Sequence, residues 1–314
     1  MNPPISLPYA GSQSGVASGM SFLSLNLTPQ RFFSGLYKPF DEADYVVLGV
    51  PYDGTSTYRA GSRFGPQAIR EASLNIESYS IRTSLDVEDL RICDLGDLNI
   101  AESLQETLRR LENVLGDVIS AKKLPVVLGG EHSLTLGAVK AFGTSVAVLD
   151  FDAHMDLRDE YMQSRLSHTT FMRRLAELIG PEKIIEVGVR ALCKADLEYA
   201  NKTCLTYITA HDLHHISVEK SIQMIRDKLA NFDKIYLTID IDVLDPSVAP
   251  AVGNPEPEGI STHMLLDLLQ GVCDKRLCGF DIVEVSPHYD SGGTAAQAAR
   301  IIFETLCFIE KSRQ

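Results

Sequence analysis

The sequence predicts a single doubly wound α/β domain built on a parallel sheet of about eight strands. Eight short apolar runs rich in Val, Ile and Leu alternate with longer amphipathic stretches from Asp44 onward in the 314-residue chain. The runs are nearly continuous in apolar character, which is typical of parallel strands buried on both faces. A (β/α)₈ barrel contains the same number of units and is the alternative that the pattern leaves open.

Each element follows from its place in this alternation. The predicted strands are residues 45–50, 90–98, 124–130, 146–152, 183–189, 204–209, 234–240 and 278–285. The predicted helices are residues 66–76, 101–122, 132–142, 169–180, 194–201, 217–231, 261–274 and 293–312. Residues 1–40 carry Pro, Gly and Ser with little periodicity, apart from the run FLSLNL. They predict an N-terminal arm that packs on the body or on a neighbouring subunit, which leaves residues 41–314 as the domain.

Composition argues against several classes of function. The chain has 29 basic and 42 acidic residues, a formal charge of −13, and no run of Lys or Arg. We therefore expect no nucleic-acid partner and no binding to an anionic membrane surface. No stretch reaches ~18 consecutive apolar residues, and we expect neither a membrane span nor a signal peptide. The six cysteines form no Cys-x-x-Cys pair, which predicts free thiols and a cytoplasmic protein.

Polar residues at the ends of two strands share a face. The fourth run continues as Asp152-Ala153-His154-Met155-Asp156, and residues two apart in extended backbone point to the same side. The seventh run ends in the same way, as Asp240-Ile241-Asp242. Because parallel strands end at one edge of the sheet, we expect these side chains to lie close together.

His132, which follows the glycine pair at 129–130, joins these residues at the same edge. Carboxylates buried together without cations would repel one another until they took up protons. Two divalent cations would balance the four carboxylates, and the mixture of oxygen and imidazole ligands suits Mn²⁺, with Fe²⁺, Co²⁺ or Zn²⁺ also compatible. Such a pair lowers the pKa of a bridging water towards neutrality. Each residue alone could be a helix cap or a turn residue, whereas the joint pattern predicts a metal pair.

Five ordered blocks resemble the ureohydrolase family, which includes arginase, agmatinase, guanidinobutyrase and proclavaminate amidinohydrolase. They are residues 49–70, 129–133 (GGEHS), 150–159 (DFDAHMDLRD), 238–250 (TIDIDVLDPSVAP) and 280–287 (FDIVEVSP). The blocks span nearly the whole chain after residue 44. Five ordered blocks are far more specific than a single D-A-H-x-D motif.

The resemblance implies a three-layer α/β/α fold with a parallel sheet of about eight strands, which favours the open sheet over the barrel. It also implies a binuclear Mn²⁺ centre that hydrolyses a guanidino group to an amine and urea. Carried over by motif position, the ligands of one ion are His132, Asp152, Asp156 and Asp240, and those of the other are Asp152, His154, Asp240 and Asp242. Asp152 and Asp240 would bridge the two ions.

Two further roles follow from the resemblance. Glu284 corresponds to the carboxylate that pairs with the substrate guanidinium, and a planar guanidinium matches a carboxylate bidentately. His168 corresponds to the proton-shuttle histidine, and an imidazole that titrates near neutral pH suits protonation of the leaving amine. Asp156 or Asp242 would help to hold the tetrahedral intermediate.

The chain departs from the usual family pattern at three positions. Met155 replaces the common Ser or Thr, Thr169 stands where Gly is frequent, and Asn254 replaces a Thr. The ligands are untouched. Met155 could remove a hydrogen bond behind the metals, and Asn254 alters the polar wall expected near the guanidinium.

The substrate tail depends on the loop after the fourth strand. Acidic Asp159 and Glu160 in this loop would suit a terminal ammonium, as in agmatine, although both could be a solvated cluster paired with Arg158. The sequence of this loop resembles that of the same loop in prokaryotic agmatinases. We therefore expect agmatine to be converted to putrescine, a step of polyamine biosynthesis. Arg158 could instead receive the carboxylate of 4-guanidinobutyrate or another ω-guanidino acid.

Arginase and formiminoglutamate hydrolase activities are further alternatives on the same scaffold, and a catalytically silent relative is a third class. The presence of all six ligand residues argues against a silent protein. The family is commonly trimeric or hexameric, which implies a homo-oligomer.

Overall fold

The apolar runs form the centre of one large sheet in this computed structural model, which describes residues 26–28 and 30–314. Its strands are β1 (Leu27–Thr28), β2 (Tyr45–Val50), β5 (Ile92–Leu98), β6 (Leu124–Gly129), β7 (Ala147–Phe151), β8 (Ile184–Val189), β9 (Thr206–Thr209), β10 (Ile235–Asp240) and β11 (Leu277–Val283). The order across the sheet is β1-β5-β2-β6-β11-β10-β7-β8-β9. All neighbours are parallel except β1 and β5, so the predicted parallel sheet is confirmed and the barrel is excluded.

Helices cover both faces of the sheet, as the three-layer prediction requires. One layer contains α1 (Gly65–Ser73), α6 (Ala210–His215), α7 (Val218–Leu229), α8 (Thr262–Val272) and α9 (Gly293–Arg313). The other contains α2 (Leu104–Ser120), α3 (Leu134–Phe142), α4 (Phe171–Ile179) and α5 (Lys194–Thr203). Alternate residues of each strand face the two layers, which explains why the strands are apolar throughout.

The sequence pattern missed three small elements. β1 lies in the segment predicted as an arm and pairs with the edge of the sheet, while residues 1–25 of that arm lie outside the described residues. Phe33 from the same segment is fully buried and packs edge-on against Phe303 of α9. A two-stranded hairpin, β3 (Tyr79–Ser80) and β4 (Leu85–Asp86), and the one-and-a-half-turn helix α6 are too short for hydrophobic periodicity to indicate them.

The described cysteines are all free, as predicted. Among the residues that the structure covers, no helix is long and apolar enough to cross a membrane.

A buried ion-pair cluster joins α1 to β5. The Arg70 guanidinium donates bidentately to Asp94, at 2.8 and 2.9 Å, and to Asp97 at 2.6 Å. Its side chain is 1% exposed. Gly49 lies beside the cluster, where a Cβ atom would overlap the Asp97 carboxylate. Arg70 is therefore the shared ion-pair partner of both carboxylates.

We predict that Arg70→Met destabilises the fold by about 3–5 kcal/mol, because it leaves two buried carboxylates without a counter-charge. Urea unfolding followed by circular dichroism measures the change. Arg91→Met is the matched control, since Arg91 pairs with Asp44 at the exposed surface and its loss should leave the midpoint unchanged. Equal midpoints for all three proteins would contradict the role assigned to the cluster.

Candidate metal centre and substrate cavity

Four adjacent strands, β6, β11, β10 and β7, end at one edge of the sheet and deliver the predicted site residues there. His132 follows β6, Asp152 follows β7, Asp240 ends β10, and Glu284 follows β11. The sheet order thus brings together residues that are more than 100 positions apart in sequence. These side chains therefore lie together at the carboxyl ends of the strands, as the sequence predicted.

The backbone at this edge is unusual at three residues. A Cβ atom at Gly130 would lie 2.0 Å from the carbonyl oxygen of Tyr52, so the close approach of these two loops requires glycine. Asp156 and Glu284 have left-handed backbone conformations, with φ of 49° and 65°. This conformation costs a non-glycine residue about 1–2 kcal/mol, and it aims both carboxylates into the site.

Two groups of potential ligand atoms lie at this edge. His132, Asp152 and Asp240 form the first group, and Asp152, His154 and Asp242 form the second. In the first group the His132 Nδ1 atom lies 2.9 Å from Asp152 Oδ2 and 3.3 Å from Asp240 Oδ2. In the second group the His154 Nδ1 atom lies 3.5 Å from Asp152 Oδ1 and 3.0 Å from Asp242 Oδ2. One oxygen of Asp152 therefore faces each imidazole, which is the arrangement of a bridging carboxylate.

The donor set fits divalent cations. The Nδ1 atom of His132 is buried and makes no hydrogen bond despite its short distances to two carboxylates. Burial and the neighbouring carboxylates raise the pKa of Asp240 and of Asp156 well above the usual range. Burial also opposes the charge of Asp152, but the two imidazoles hold its pKa below the usual value. Positive charge is what this cluster requires, and a metal pair would supply it.

Asp156 lies beside these groups and outside both of them. It lines the same cavity, although its carboxylate is not within the ligand distances of either group. In the same way, Asp240 belongs to the first group only. The proposed roles of Asp156 as a ligand and of Asp240 as a second bridge therefore stay predictions.

A buried hydrogen-bond network holds the ring of His132 from behind. Its Nε2 atom lies 2.9 Å from the Thr238 hydroxyl, which donates to Asp281 at 2.5 Å. The hydroxyls of Thr135 and Tyr236 donate to the other oxygen of Asp281 at 2.8 and 2.9 Å. Since the Thr238 hydrogen is used on Asp281, its oxygen accepts from the His132 Nε2–H, and Nδ1 is left free to bind a metal.

A cavity of about 480 Å³ opens above the ligand groups. Glu284 lines it, is 8% exposed, and accepts a hydrogen bond of 2.9 Å from the backbone N–H of His132. Burial, followed by the charge of Glu131, raises the pKa of Glu284 to about 8. A cationic group bound in the cavity would oppose both effects and favour the carboxylate.

His168 also lines the cavity. Its ring lies between two hydroxyls, with Nδ1 3.2 Å from Thr55 and Nε2 3.3 Å from Thr57. Burial, followed by the positive charge of nearby His154, lowers the pKa of His168 to about 4. The expectation of an imidazole that titrates near neutrality thus differs from the structure, in which His168 is neutral at pH 7.

The acidic residues expected to bind the substrate tail lie elsewhere. Asp159 is exposed and pairs with Arg165 and Arg174 at 3.0 and 2.5 Å, and neither Asp159 nor Glu160 lines the cavity. Two further acidic residues of the lining are Asp196 and Glu256, which the sequence analysis missed. Asp196 lies on α5, seven residues beyond the end of β8, so the strand-end rule did not indicate it.

The lining also contains two arginines, Arg158 and Arg190, and two of the three departures from the family pattern. Arg158 lines the cavity with its guanidinium over the Tyr161 ring, at 5.0 Å from the centroid. Asn254 and Thr169 line it too, whereas Met155 is buried in the hydrophobic core beneath it. Met155 therefore contributes apolar packing under the metal-ligand loop.

Comparison with known proteins identifies relatives along most of the chain. The model of the arginase family matches residues 43–307. The agmatinase of Bacillus subtilis (strain 168) is 37% identical over 85% of this chain and 92% of its own length. The N(1)-aminopropylagmatine ureohydrolase of Thermococcus kodakarensis is 36% identical over 85% of this chain and 91% of its own length. The crystal structure of agmatine ureohydrolase from Thermoplasma volcanium superimposes with a TM-score of 0.82 at 36% identity, covering 87% of this chain and 92% of that one.

We predict that Thr238→Val weakens metal binding by about 10- to 100-fold, because the His132 ring loses the acceptor that fixes its tautomer. Titration of metal-free protein with Mn²⁺, followed by calorimetry, measures the affinity. Thr238→Ser keeps the hydroxyl and should bind like the unaltered protein. Equal affinity of the Val and Ser variants would show that the network does not orient His132.

A second prediction concerns stability in acid. The pKa of His168 is about 4 in the fold and about 6.5 in an unfolded chain. The unfolded chain therefore binds this proton more tightly, and stability is lost as pH falls from 6.5 towards 4. We expect His168 to account for a loss of roughly 2 kcal/mol between pH 7.5 and 5. Urea unfolding at both pH values should show a smaller loss in His168→Gln, and an identical loss would be inconsistent with a buried neutral imidazole.

Proposed function

The chain belongs to the arginase family, and on that premise we propose that it hydrolyses the guanidino group of agmatine. The reaction converts agmatine and water to putrescine and urea. The observation that carries this proposal is the position of Glu284, whose carboxylate lines the same cavity as the ligand groups around Asp152 and Asp242. A cation-binding carboxylate beside a metal pair is the arrangement that guanidine hydrolysis needs.

Two Mn²⁺ ions are the proposed cofactors. His132, Asp152, Asp156 and Asp240 would hold one ion, and Asp152, His154, Asp240 and Asp242 the other. The buried nitrogen of His132 and the two-sided contacts of Asp152 support this assignment. When bound, the ions would supply positive charge that lowers the pKa of an attacking water. Fe²⁺, Co²⁺ and Zn²⁺ have ligand preferences that overlap with this donor set.

Glu284 would orient the substrate. Its carboxylate is held by the His132 N–H and by its left-handed backbone, so its direction is set before substrate arrives. A guanidinium can donate two parallel hydrogen bonds to a carboxylate, which fixes the plane of the guanidinium as well as its position. Asp156 faces the same cavity, and we propose that its carboxylate stabilises the tetrahedral carbon through the attached N–H groups.

His168 would carry the proton between the reactants. A neutral ring can accept the proton that water loses as it adds to the guanidinium carbon. The low pKa of His168, about 4, means that the protonated ring is a strong acid. It would therefore pass its proton readily to the amine nitrogen as the C–N bond breaks. His168 is neutral at the start and at the end of the cycle.

Asp196 in the cavity lining could accept an ammonium tail. Asp196 is 3% exposed, and its Oδ2 atom accepts from the Cys193 N–H at 2.8 Å. Its Oδ1 atom is buried without a hydrogen-bond partner among the described residues. A buried carboxylate oxygen with no partner is costly, and the ammonium of agmatine would satisfy it. This supports Asp196, in preference to Asp159 and Glu160, as the tail-binding residue.

A guanidino acid such as 4-guanidinobutyrate is the second candidate. Arg158 lines the cavity and has no carboxylate within ion-pair distance among the described residues. Its guanidinium could receive the carboxylate of such a substrate. The other arginine of the lining, Arg190, donates hydrogen bonds to backbone carbonyl groups, which include those of Asp242 and Glu256 at 2.6 and 2.9 Å.

A location in the cytoplasm and a homo-oligomeric state stay predictions.

Urea release tests the proposal. Protein loaded with Mn²⁺ should release urea from agmatine in preference to 4-guanidinobutyrate, 3-guanidinopropionate and L-arginine. Glu284→Gln should lower kcat/KM for agmatine about 10²- to 10³-fold, because a buried charge pair is lost. Glu219→Gln, at the exposed start of α7, is the control and should retain full activity. Absence of urea from all four compounds, with metal bound, would exclude guanidine hydrolysis.

Asp196→Asn tests the tail. Asparagine keeps an oxygen for the Cys193 N–H but presents no charge to an ammonium. The variant should raise KM for agmatine about tenfold or more and leave KM for butylguanidine, which has no ammonium, unchanged. Equal effects on both compounds would argue against an ammonium site at Asp196, and a preference of the unaltered protein for 4-guanidinobutyrate would transfer the tail contact to Arg158.

A further inference from the structure

Glu131 is a fully buried carboxylate in the GGEHS block that belongs to neither ligand group. Its Oε2 atom accepts the backbone N–H of Thr55 at 2.7 Å. Its Oε1 atom accepts the hydroxyls of Thr55 at 2.7 Å and of Ser133 at 2.5 Å. The two hydrogen bonds from Thr55 tie the loop that follows β2 to the loop that follows β6. The carboxylate is thus oriented by three donors, two of which come from one residue.

Thr55 connects this carboxylate to the His168 ring. A threonine hydroxyl has one hydrogen, and Thr55 donates it to Glu131. The Thr55 oxygen can therefore only accept, and it receives the backbone N–H of His168 at 3.0 Å. The same oxygen lies 3.2 Å from Nδ1 of the ring. Nδ1 must therefore carry the ring hydrogen, which leaves the lone pair of the neutral imidazole on Nε2.

We propose that Glu131 and Thr55 are positioning residues that hold His168 in the tautomer whose Nε2 atom can accept a proton. The inference rests on the proposed hydrolysis, in which His168 carries the proton. The chain runs from the Glu131 carboxyl group through the Thr55 hydroxyl to Nδ1, so the orientation of the carboxyl group sets the side of the ring that carries the hydrogen. Glu131 and Thr55 act through His168 and need no contact with substrate.

The position of Nε2 agrees with this role. His168 and Thr57 both line the cavity, and the Thr57 hydroxyl lies 3.3 Å from Nε2. An Nε2 atom with a lone pair accepts from this hydroxyl, or from water at the same place. The opposite tautomer would set an N–H of the ring against the cavity and leave Nδ1 facing an oxygen that has no hydrogen to give. That arrangement loses a hydrogen bond and cannot accept a proton from the cavity side.

Every proton of the reaction has a stated donor and acceptor in this scheme. As the water oxygen bonds to the guanidinium carbon, one water proton passes to Nε2. As the C–N bond breaks, its electron pair stays with the amine nitrogen, which takes that proton. The second water proton then leaves the oxygen and passes to the amine, which departs as an ammonium and keeps the charge that the guanidinium brought. Nδ1 keeps its hydrogen throughout, held by Thr55. The products are urea and the amine, and no other reactant is required.

The tautomer can be observed directly. Protein labelled with ¹⁵N-histidine and loaded with Zn²⁺, which is diamagnetic, gives ring ¹⁵N shifts that distinguish a protonated from an unprotonated nitrogen. The His168→Asn variant assigns the His168 signals among the eight histidines. We expect His168 to be protonated at Nδ1 in the unaltered protein and in Thr55→Ser. Thr55→Val should show a mixture of tautomers, and Glu131→Gln should do the same.

Kinetics of the Mn²⁺-loaded proteins complete the test. Thr55→Val should lower kcat for agmatine about 10- to 100-fold with KM unchanged, and Thr55→Ser should restore kcat. A hydrogen on Nε2 in the unaltered protein, an unchanged tautomer in Thr55→Val, or a rise in KM at unchanged kcat would each overturn the inference. These outcomes differ from failure of the proposed function, in which the unaltered protein releases no urea whatever the tautomer.

Discussion

The repulsion between carboxylates buried at one edge of the sheet is the constraint on which the site depends. Asp152, Asp240 and Asp242 lie at the ends of neighbouring strands with almost no exposure to solvent. Water cannot screen their charges there, so the fold is complete only with a source of positive charge at this edge. The imidazoles contribute part of it, which explains why the pKa values of His132 and His154 are raised by the neighbouring carboxylates although burial opposes the charged form. Divalent ions would release both rings from that role and make them ligands.

The same constraint extends into the sheet beneath the ligands. Strand register places Asp281, Thr238, Asp150 and Glu186 side by side across β11, β10, β7 and β8. Asp281 has three hydroxyl donors, whereas the carboxyl oxygens of Asp150 and Glu186 have no hydrogen-bond partner among the described residues. Burial, and next the charges of nearby carboxylates, raise the pKa of both groups well above the usual range. Burial thus disfavours negative charge on these two groups beneath the ligand layer.

Much of this fold was predictable because parallel strands are buried on both faces and because their ends converge. Both rules concern short stretches of sequence, and they located His132, Asp152, His154, Asp240 and Asp242. The resemblance to the ureohydrolases added Glu284 and His168. The misplaced residues depend on contacts that no local pattern reports. Asp159 turns outward because α4 offers Arg174, and Asp196 reaches the cavity from the first turn of α5. The low pKa of His168 likewise follows from burial between distant loops, which its own segment does not reveal.

The charges of the cavity decide what it can attract. The guanidinium of Arg190 donates hydrogen bonds to backbone carbonyl oxygens. Among the described residues, Arg158 is therefore the arginine of the lining whose guanidinium has no such partners. The acidic residues of the same lining outnumber this arginine: they are Glu284, Asp196 and Glu256, together with the ligand carboxylates. A metal pair would offset the ligand carboxylates and leave those of Glu284, Asp196 and Glu256, so the rest of the lining would stay acidic. In a chain of formal charge −13, that field would favour the doubly cationic substrate proposed above, with its guanidinium at Glu284 and its ammonium at Asp196.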